Sequence, residues 1–271
     1  MLTSKLCTFS DWQHPDYRSA LYDLQEGFTL HRKQWEFAMI FRALRERGML
    51  HRGTPQQGRK GLGFAVGTEP LPSAFCHYGN WIVATDQAPT EQANEAWGEG
   101  QLCFGLDALN SRGLCDPGAF AQLCQFRHVD MNVLPDDLGT FDFLWSSCAF
   151  EHLGSLEAGI RFVVESADKY LLPGGWAVHT TEFNLTSNEH TVATGGSVYY
   201  RQRDIEELAT RLEAVGCYLL PVDYDRGNHP CDNWVDTELL HNSNLHLKLQ
   251  IGEYTLTSIL LIIHKPIQPR P

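Results

Sequence analysis

The chain is 271 residues long, with 43% hydrophobic residues, 20% charged residues and a formal net charge of −12. This composition excludes a disordered chain and predicts a sizeable hydrophobic core. The acidic balance argues against a broad nucleic-acid-binding surface, because such a surface needs clustered Lys and Arg side chains. No run of about 18 apolar residues is present to span a bilayer, and the N-terminal residues lack the blocks of a signal peptide. We therefore expect a cytoplasmic protein that binds neither nucleic acid nor membrane.

The eight cysteines are scattered along the chain, without a C-x-x-C pair or a Cys/His cluster at zinc-ligand spacing. Such cysteines are typical of free, mostly buried thiols. We therefore expect no metal site.

The N-terminal part of the chain, residues 1–57, is predicted to form a helical arm. Residues 17–50 look helical, and one apolar face is formed at the expected spacing by Phe37, Ile40, Phe41 and Leu44. Three glycines and a proline between residues 48 and 58 then break the pattern. We therefore place the main domain at residues 58–271.

Beyond the arm, short apolar runs alternate with helical stretches, which predicts strand–helix–strand units around a parallel sheet. The strands are predicted at about 61–66, 81–85, 125–129, 141–146, 175–180, 217–222 and 255–264. The helices are predicted at about 70–78, 88–97, 116–122, 155–171 and 202–215.

The end of the chain carries a hairpin signal. Residues 245–251 and 255–264 are separated by only a few residues around Gly252 and Glu253, which predicts an antiparallel strand at the end of the sheet. The predicted fold is therefore α/β, with a doubly wound, seven-stranded, mostly parallel sheet, a C-terminal antiparallel strand and a Rossmann-like architecture.

A glycine turn follows the first predicted strand. Gly67 is placed where the chain turns toward the next helix, and the following strand ends at Asp86. A turn without a side chain lets a ligand approach the backbone closely, and a carboxylate at a strand end can accept from both ribose hydroxyls. The pattern predicts a site for an adenosine group. An ordinary tight turn at Gly67 and a helix cap at Asp86 are the structural alternatives.

Five motifs follow one another along the chain, at residues 64–67, Asp86, 129–132, 141–146 and 172–175. In their order and spacing they resemble the motifs of class I S-adenosylmethionine-dependent methyltransferases, and the resemblance covers residues of about 60–264. The resemblance implies S-adenosylmethionine as the cofactor and methyl transfer as the activity. Ala65 stands where the family has an acid, and Glu69 stands where it has a second glycine.

The resemblance also implies which residues hold the cofactor. Asp130 is expected to accept a hydrogen bond from the adenine amino group, and Met131 either packs on the adenine ring or belongs to the core. Ser146 and Ser147 are expected to border the transferred methyl group, unless one of their hydroxyls caps the next helix. Glu69 is expected to supply the missing carboxylate from a shifted position. The expected cofactor-binding residues are Gly67, Glu69, Asp86, Asp130, Met131 and Ser146.

Methyl transfer to a hydroxyl requires a base, and a histidine that titrates near neutrality suits this role. His152 follows the fourth predicted strand directly and is preferred, with Glu182 as an orienting or metal-binding partner. His179, His190 and His229 are alternatives, because each lies after a predicted strand or in a loop on the cofactor side. For each of them, a structural or surface histidine is the competing interpretation.

We expect a small-molecule, sugar or glycan-like acceptor that is methylated at oxygen. The segment 31–36 of the arm either caps the acceptor pocket or forms a solvated helix face. Ala65 and Glu69 are also compatible with a non-catalytic binding domain of this fold. A nicotinamide-dependent oxidoreductase shares the use of Asp86 but requires three glycines in the turn, of which only Gly67 is in place.

Overall fold

The structure, a computed structural model, describes residues 1–51, 57–88, 102–103, 105–237 and 245–267. The strands are β1 (Ser4–Leu6), β2 (Leu30–His31), β3 (Lys60–Phe64), β4 (Trp81–Asp86), β5 (Cys124–His128), β6 (Phe141–Ser147), β7 (Leu171–Asn184), β8 (Tyr218–Leu219), β9 (Val222–Asp223), β10 (Leu245–His246), β11 (Leu249–Ile251) and β12 (Tyr254–His264). The helices are α1 (Ser10–Gln13), α2 (Pro15–Asp23), α3 (Arg32–Glu46), α4 (Leu71–His77), α5 (Leu106–Leu109), α6 (Pro117–Leu123), α7 (Leu156–Tyr170), α8 (Gln202–Ala214) and α9 (Pro230–Asn233). A 3-10 turn covers Phe150–His152.

The main sheet confirms the doubly wound architecture expected from the sequence. Its strand order is β5-β4-β3-β6-β7-β12-β1-β9. Strands β3 to β7 are parallel to one another, and β12 pairs antiparallel with β7. The order reverses between β3 and β6, so the connections after these two strands run to opposite faces and leave a crevice at the strands' carboxyl ends.

Two hydrophobic layers cover the faces of this sheet. On one face α3 contributes Trp35, which belongs to the same buried cluster as Trp145 of β6. On the other face Phe162 of α7 and Leu212 of α8 cluster with Leu144, the neighbour of Trp145. Adjacent residues of β6 therefore enter opposite layers, as the two-residue period of a strand requires.

The predicted hairpin at the end of the chain is confirmed by the strand pairing. Residues Leu249 and Leu256 pair across an antiparallel hairpin, and Gly252 at its tip has φ +57°, a conformation that favours glycine. At the entry to β7, a Cβ on Gly175 would lie 2.7 Å from the carbonyl oxygen of Asp142. Only a glycine lets β6 and β7 approach this closely.

The predicted sixth strand, at about 217–222, is interrupted in the structure. Residues 218–219 pair with β12, whereas residues 222–223 pair with β1. Pro221 lies between the two pieces, and proline has no N–H group to donate to a sheet. The strand therefore splits at this residue.

The prediction of continuous helix over residues 17–50 is wrong. Helix α2 ends at Asp23, and α3 begins at Arg32 after a segment in which Gln25 has φ +50°. The His31 side chain accepts a hydrogen bond from the Lys33 N–H and caps the new helix. Apolar periodicity located the helical faces but did not reveal this break. Most of the predicted helix at 88–97 lies outside the described residues.

The N-terminal segment contributes directly to the main sheet. Strand β1 pairs antiparallel with β12 through Lys5 and Leu6. Helix α3 lies against β6, β7 and β12, and its residues Ile40 and Leu44 are completely buried. The strand β1 had no sequence signal. Helix α3 therefore reaches the carboxyl ends of the parallel strands, where it can shape a ligand site.

Candidate functional site

A cavity of about 530 Å³ opens at the carboxyl ends of β3, β4, β5 and β6. This is the crevice that the reversal of strand order creates. Helix α3 closes one side of it through Lys33 and Phe37. Among the residues predicted from the sequence, those that line it are Gly67, Glu69, Asp86, Asp130, Met131, Ser147 and His152.

The turn after β3 has an unusual backbone. Ala65 and Gly67 have φ values of +48° and +50°, a left-handed conformation that is costly for alanine and easy for glycine. The N–H of Val66 donates to the Thr85 carbonyl at 3.0 Å, and the N–H of Gly67 donates to Asp86 Oδ2 at 3.1 Å. The turn is thus tied to the end of β4 at two points.

Asp86 is a buried carboxylate that organises this part of the cavity. Its oxygens accept hydrogen bonds from the N–H groups of Gly67, Gln87 and Cys103 at 3.1, 2.8 and 2.9 Å. Burial raises the pKa of Asp86, and the three backbone donors oppose that rise. A carboxylate has about four lone-pair positions. Three are used, so the site retains room for about one further donor, such as a ligand hydroxyl.

Glu69 turns its side chain inward beside this site. Its Oε1 accepts a hydrogen bond from Trp145 Nε1 at 2.6 Å. Burial raises the pKa of Glu69 to about 8, although the bond from Trp145 and the charge of Lys33 oppose the shift. The Glu69 carboxyl is therefore largely protonated at neutral pH.

The loop after β5 forms the opposite edge of the cavity. Asp130 Oδ1 accepts a hydrogen bond from the Asn132 N–H at 2.8 Å, which closes a small turn. Asp130 is exposed, while Met131 is 8% exposed and presents an apolar surface. An exposed acceptor next to an apolar thioether suits a planar heterocycle with an amino group.

His152 lies at the end of the 3-10 turn that follows β6. Its Nδ1 is 2.8 Å from the Gly196 carbonyl oxygen. A carbonyl only accepts, so Nδ1 carries the proton and, in the neutral ring, Nε2 carries the lone pair. Nε2 is 3.9 Å from Oε1 of the buried Glu151. This orientation gives His152 the tautomer of a general base.

Three predicted site residues are not among those that line the cavity. Ser146 Oγ and His179 Nδ1 are 2.8 Å apart, and both residues are completely buried. Burial lowers the pKa of His179 to about 3, so its ring is neutral. Glu182 is held by Arg32 at 2.6 Å. Ser147, the last residue of β6, and Cys148 after it do line the cavity.

The other two candidate histidines lie in separate loops and cap local structure. The His229 side chain accepts a hydrogen bond from the Cys231 N–H at the start of α9, and its ring stacks on Phe9. The carbonyl oxygen of His190 accepts a hydrogen bond from Asn184 Nδ2. Neither residue is among those that line the cavity.

A buried network on α3 was not recognised as such from the sequence. Glu36, which is completely buried, accepts hydrogen bonds from Ser147 Oγ, Cys148 Sγ and Ser258 Oγ at 3.2, 3.0 and 2.5 Å. Its Oε2 is 3.0 Å from Lys33 Nζ. Burial alone would raise the pKa of Glu36, but the nearby cations outweigh burial and hold it at about 2. The charged segment 31–36 was noticed in the sequence, whereas nothing marked Ser258 as its partner.

One group within the described part of the chain has the geometry to hold a metal ion. Ligand atoms of Cys148, Glu151 and Glu182 lie within 4.8 Å of one another. Arg32 already pairs with Glu182, and the Cys148 thiol donates to Glu36. A metal would displace these partners, so the contacts favour an internal network over a metal centre.

Comparisons with known proteins give similarities in backbone only, and no family model and no curated protein matches the chain. The chain is similar to an S-adenosylmethionine-dependent methyltransferase from Clostridium acetobutylicum, at 15% identity, a TM-score of 0.47 and coverage of 87% of this chain and 92% of that one. It is similar to the CcbJ methyltransferase from Streptomyces caelestis at 12% identity, a TM-score of 0.46 and coverage of 93% and 97%. It is also similar to a TehB-like methyltransferase from Corynebacterium glutamicum at 14% identity, a TM-score of 0.44 and coverage of 94% and 98%. Similarities this low carry no argument about function, which rests on the cavity itself.

Across the part of the chain that the structure describes, no helix combines the length and the apolar character needed to cross a membrane.

Proposed function

We propose that this protein is an S-adenosylmethionine-dependent methyltransferase that acts on a small-molecule, sugar or glycan-like acceptor and methylates it at oxygen. The observation that carries the proposal is the meeting of the Gly67 turn and the buried Asp86 carboxylate in a cavity at the point where the strand order reverses. Such crevices are where doubly wound sheets bind nucleotides.

The lining of the cavity suits each part of an adenosine group. Asp86 has room for about one more donor, such as a ribose hydroxyl. Met131 offers an apolar face for the adenine ring, and Asp130 offers an acceptor for its amino group. Gly67 keeps the backbone close to the ligand because it has no side chain. When bound, S-adenosylmethionine supplies a methyl group activated by a sulfonium.

The acceptor is best placed on the side of Lys33, Phe37 and His152. His152 takes the acceptor hydroxyl proton at Nε2, because its Nδ1 donates to Gly196. Displacement at a sulfonium needs little covalent help, so alignment of the reacting atoms accounts for most of the acceleration. The wall formed by α3 limits the acceptor's size, which supports a small molecule or a terminal sugar.

A thermal-melting series tests this function. A ligand at about 100 times its dissociation constant stabilises the native state by about 2.7 kcal/mol. We expect S-adenosylmethionine and S-adenosylhomocysteine to raise the melting temperature by several degrees, and a nicotinamide cofactor to leave it unchanged. The Asp86→Asn variant should lose most of the shift. A well-folded chain that neither adenosyl ligand stabilises would overturn the proposal, and a shift with the nicotinamide cofactor alone would favour the oxidoreductase.

His152→Asn separates binding from chemistry. The variant should keep the cofactor-dependent melting shift, because His152 lies on the acceptor side, and should lose 10²–10⁴-fold in methyl transfer to a hydroxyl, roughly the contribution of a general base. Transfer of labelled methyl groups to a panel of polyols and sugars measures this. Unchanged transfer in the variant would remove His152 from the mechanism.

A non-catalytic binding domain is the second candidate. The observations that favour it are the three backbone donors on Asp86 and the Glu69 side chain inside the cavity. The backbone donors use acceptor positions of Asp86 that a cofactor's hydroxyls need, and the Glu69 side chain takes up space in the cavity. This candidate gains support when the chain melts cooperatively and neither adenosyl ligand shifts its melting temperature.

A further inference from the structure

Glu69 is an ionisable group built into the cavity wall. It is 6% exposed and borders the cavity, and its Oε1 is fixed by Trp145 Nε1 at 2.6 Å. The indole itself packs tightly, since a Cβ on Gly63 would lie 2.2 Å from Trp145 Cζ2. The carboxyl group is therefore held in place by a packed ring.

The surroundings of Glu69 contain little positive charge to support its ionised form. Among the described residues, no Lys, Arg or His forms an ion pair with it, and Lys33, whose charge lowers the pKa of Glu69, is engaged by Glu36 at 3.0 Å. The negative charges of Asp86 and Glu36 raise the pKa of Glu69. Burial raises the pKa of Glu69 to about 8. The other titratable side chains that line the cavity are Arg112, Asp130, Cys148 and His152.

We propose that Glu69 binds the cationic part of the cofactor and that this binding releases the Glu69 proton. The inference rests on the proposed function and deepens it by assigning a proton-linked role to one residue. The carboxyl O–H bond breaks, its electron pair stays on the carboxylate, and the proton passes to the buffer. S-adenosylmethionine offers two cations, its ammonium and its sulfonium, and either one beside the carboxylate would favour ionisation.

The proposal predicts that affinity depends on pH. Between pH 6 and pH 7 the cofactor's ammonium stays protonated, because α-amino groups titrate at about 7.7–8.0. Binding that requires ionised Glu69 then tightens by about tenfold across this interval. The gain in affinity ends near pH 8, where Glu69 is ionised in the free protein and the cofactor's ammonium starts to lose its proton.

Calorimetric titration of the full chain at pH 7, in two buffers with different ionisation enthalpies, measures the released proton. The probes are S-adenosylmethionine, S-adenosylhomocysteine, which keeps the ammonium but has no sulfonium, and methylthioadenosine, which has neither. We expect release of about 0.9 protons per S-adenosylmethionine, and none with methylthioadenosine. Release with both amino-acid-bearing ligands identifies the ammonium as the partner of Glu69, and release with S-adenosylmethionine alone identifies the sulfonium.

Glu69→Gln is the decisive variant, because Gln keeps an oxygen acceptor for Trp145 but cannot ionise. It should bind without proton release and with equal affinity at pH 6 and pH 7. The Glu207→Gln variant is the matched control, because Glu207 is an exposed carboxylate outside the cavity, and it should release the proton as the wild type does. Micromolar binding without proton release, or release that persists in Glu69→Gln, would overturn the inference. If the wild type binds none of the three ligands, the proposed function fails and the inference fails with it.

Discussion

The two walls of the cavity are built in different ways. The strand-end wall consists of the turn at residues 65–69 and Asp86, and its hydrogen bonds join segments that lie close together in the sheet. The α3 wall consists of Lys33 and Glu36 with their partners Ser147, Cys148 and Ser258. In that wall Glu36 contacts residues 111, 112 and 222 positions away along the chain.

This difference separates ligand binding from stability. The strand-end wall is shaped by backbone N–H donors and by the left-handed residues Ala65 and Gly67. Such backbone conformations cost the folded state only a modest amount of free energy. The α3 wall buries the Glu36 carboxylate, which stabilises the fold only while its partners are present. We therefore expect changes in the α3 wall to alter folding most, and changes in the strand-end wall to alter cofactor binding most.

The largest effect on stability is expected for Glu36→Gln. The change removes the buried carboxylate that pairs with Lys33, and it leaves Arg32 with Glu182 as its remaining partner. Breaking a buried ion pair typically costs about 3–5 kcal/mol. Urea unfolding measures this loss. Glu207→Gln is the control, because Glu207 pairs with Arg211 on an exposed face, where ion pairs contribute about 0.2–1 kcal/mol. A loss no greater than the control's would contradict the role given to the α3 wall.

The stability that Glu36 provides should depend on pH. Its pKa falls from 4.5 to about 2 on folding, so its ionised form stabilises the native state above pH 4.5, and this contribution is lost as the pH falls through about 2. The difference in unfolding free energy between the wild type and Glu36→Gln should therefore narrow between about pH 5 and pH 2. A difference that stays constant across this range would show that Glu36 acts by packing alone.

In the strand-end wall, Gly67→Ala should have an intermediate effect on stability. A left-handed residue with a Cβ costs about 1–2 kcal/mol, and the new methyl group lies where the ligand approaches. We expect cofactor binding to weaken by more than this stability loss accounts for, measured by titration at a temperature where the variant is folded. Equal cofactor affinity in both proteins would place the ligand elsewhere.

Ala65→Gly should have the smallest effect. Glycine relieves the left-handed strain at φ +48°, and this gain is partly offset by about 0.5–1 kcal/mol of additional chain entropy in the unfolded state. We expect a net stabilisation of about 0.5 kcal/mol with cofactor binding retained. A clear destabilisation would show that the Ala65 methyl group packs against something essential.

The two walls also differ in how far the sequence predicts them. The alternation of apolar runs predicted the sheet, and Gly67 and Asp86 stood out because a turn and a strand end carry local signals. Glu36, Ser147 and Ser258 meet only in the folded chain, and no periodicity marks such a contact. Of the two serines predicted to border the ligand, Ser147 lines the cavity and Ser146 is buried, because adjacent strand residues point to opposite faces of a sheet.

Calorimetric titration of the full chain with S-adenosylmethionine, beside the Asp86→Asn variant, tests whether the cavity is a cofactor site. We expect micromolar binding by the wild type, and binding weakened by at least about tenfold in the variant, since a charged acceptor typically contributes about 1.5–3 kcal/mol. Absence of binding of both S-adenosylmethionine and S-adenosylhomocysteine to the folded wild type, or equal binding by the Asp86→Asn variant, would contradict the assignment.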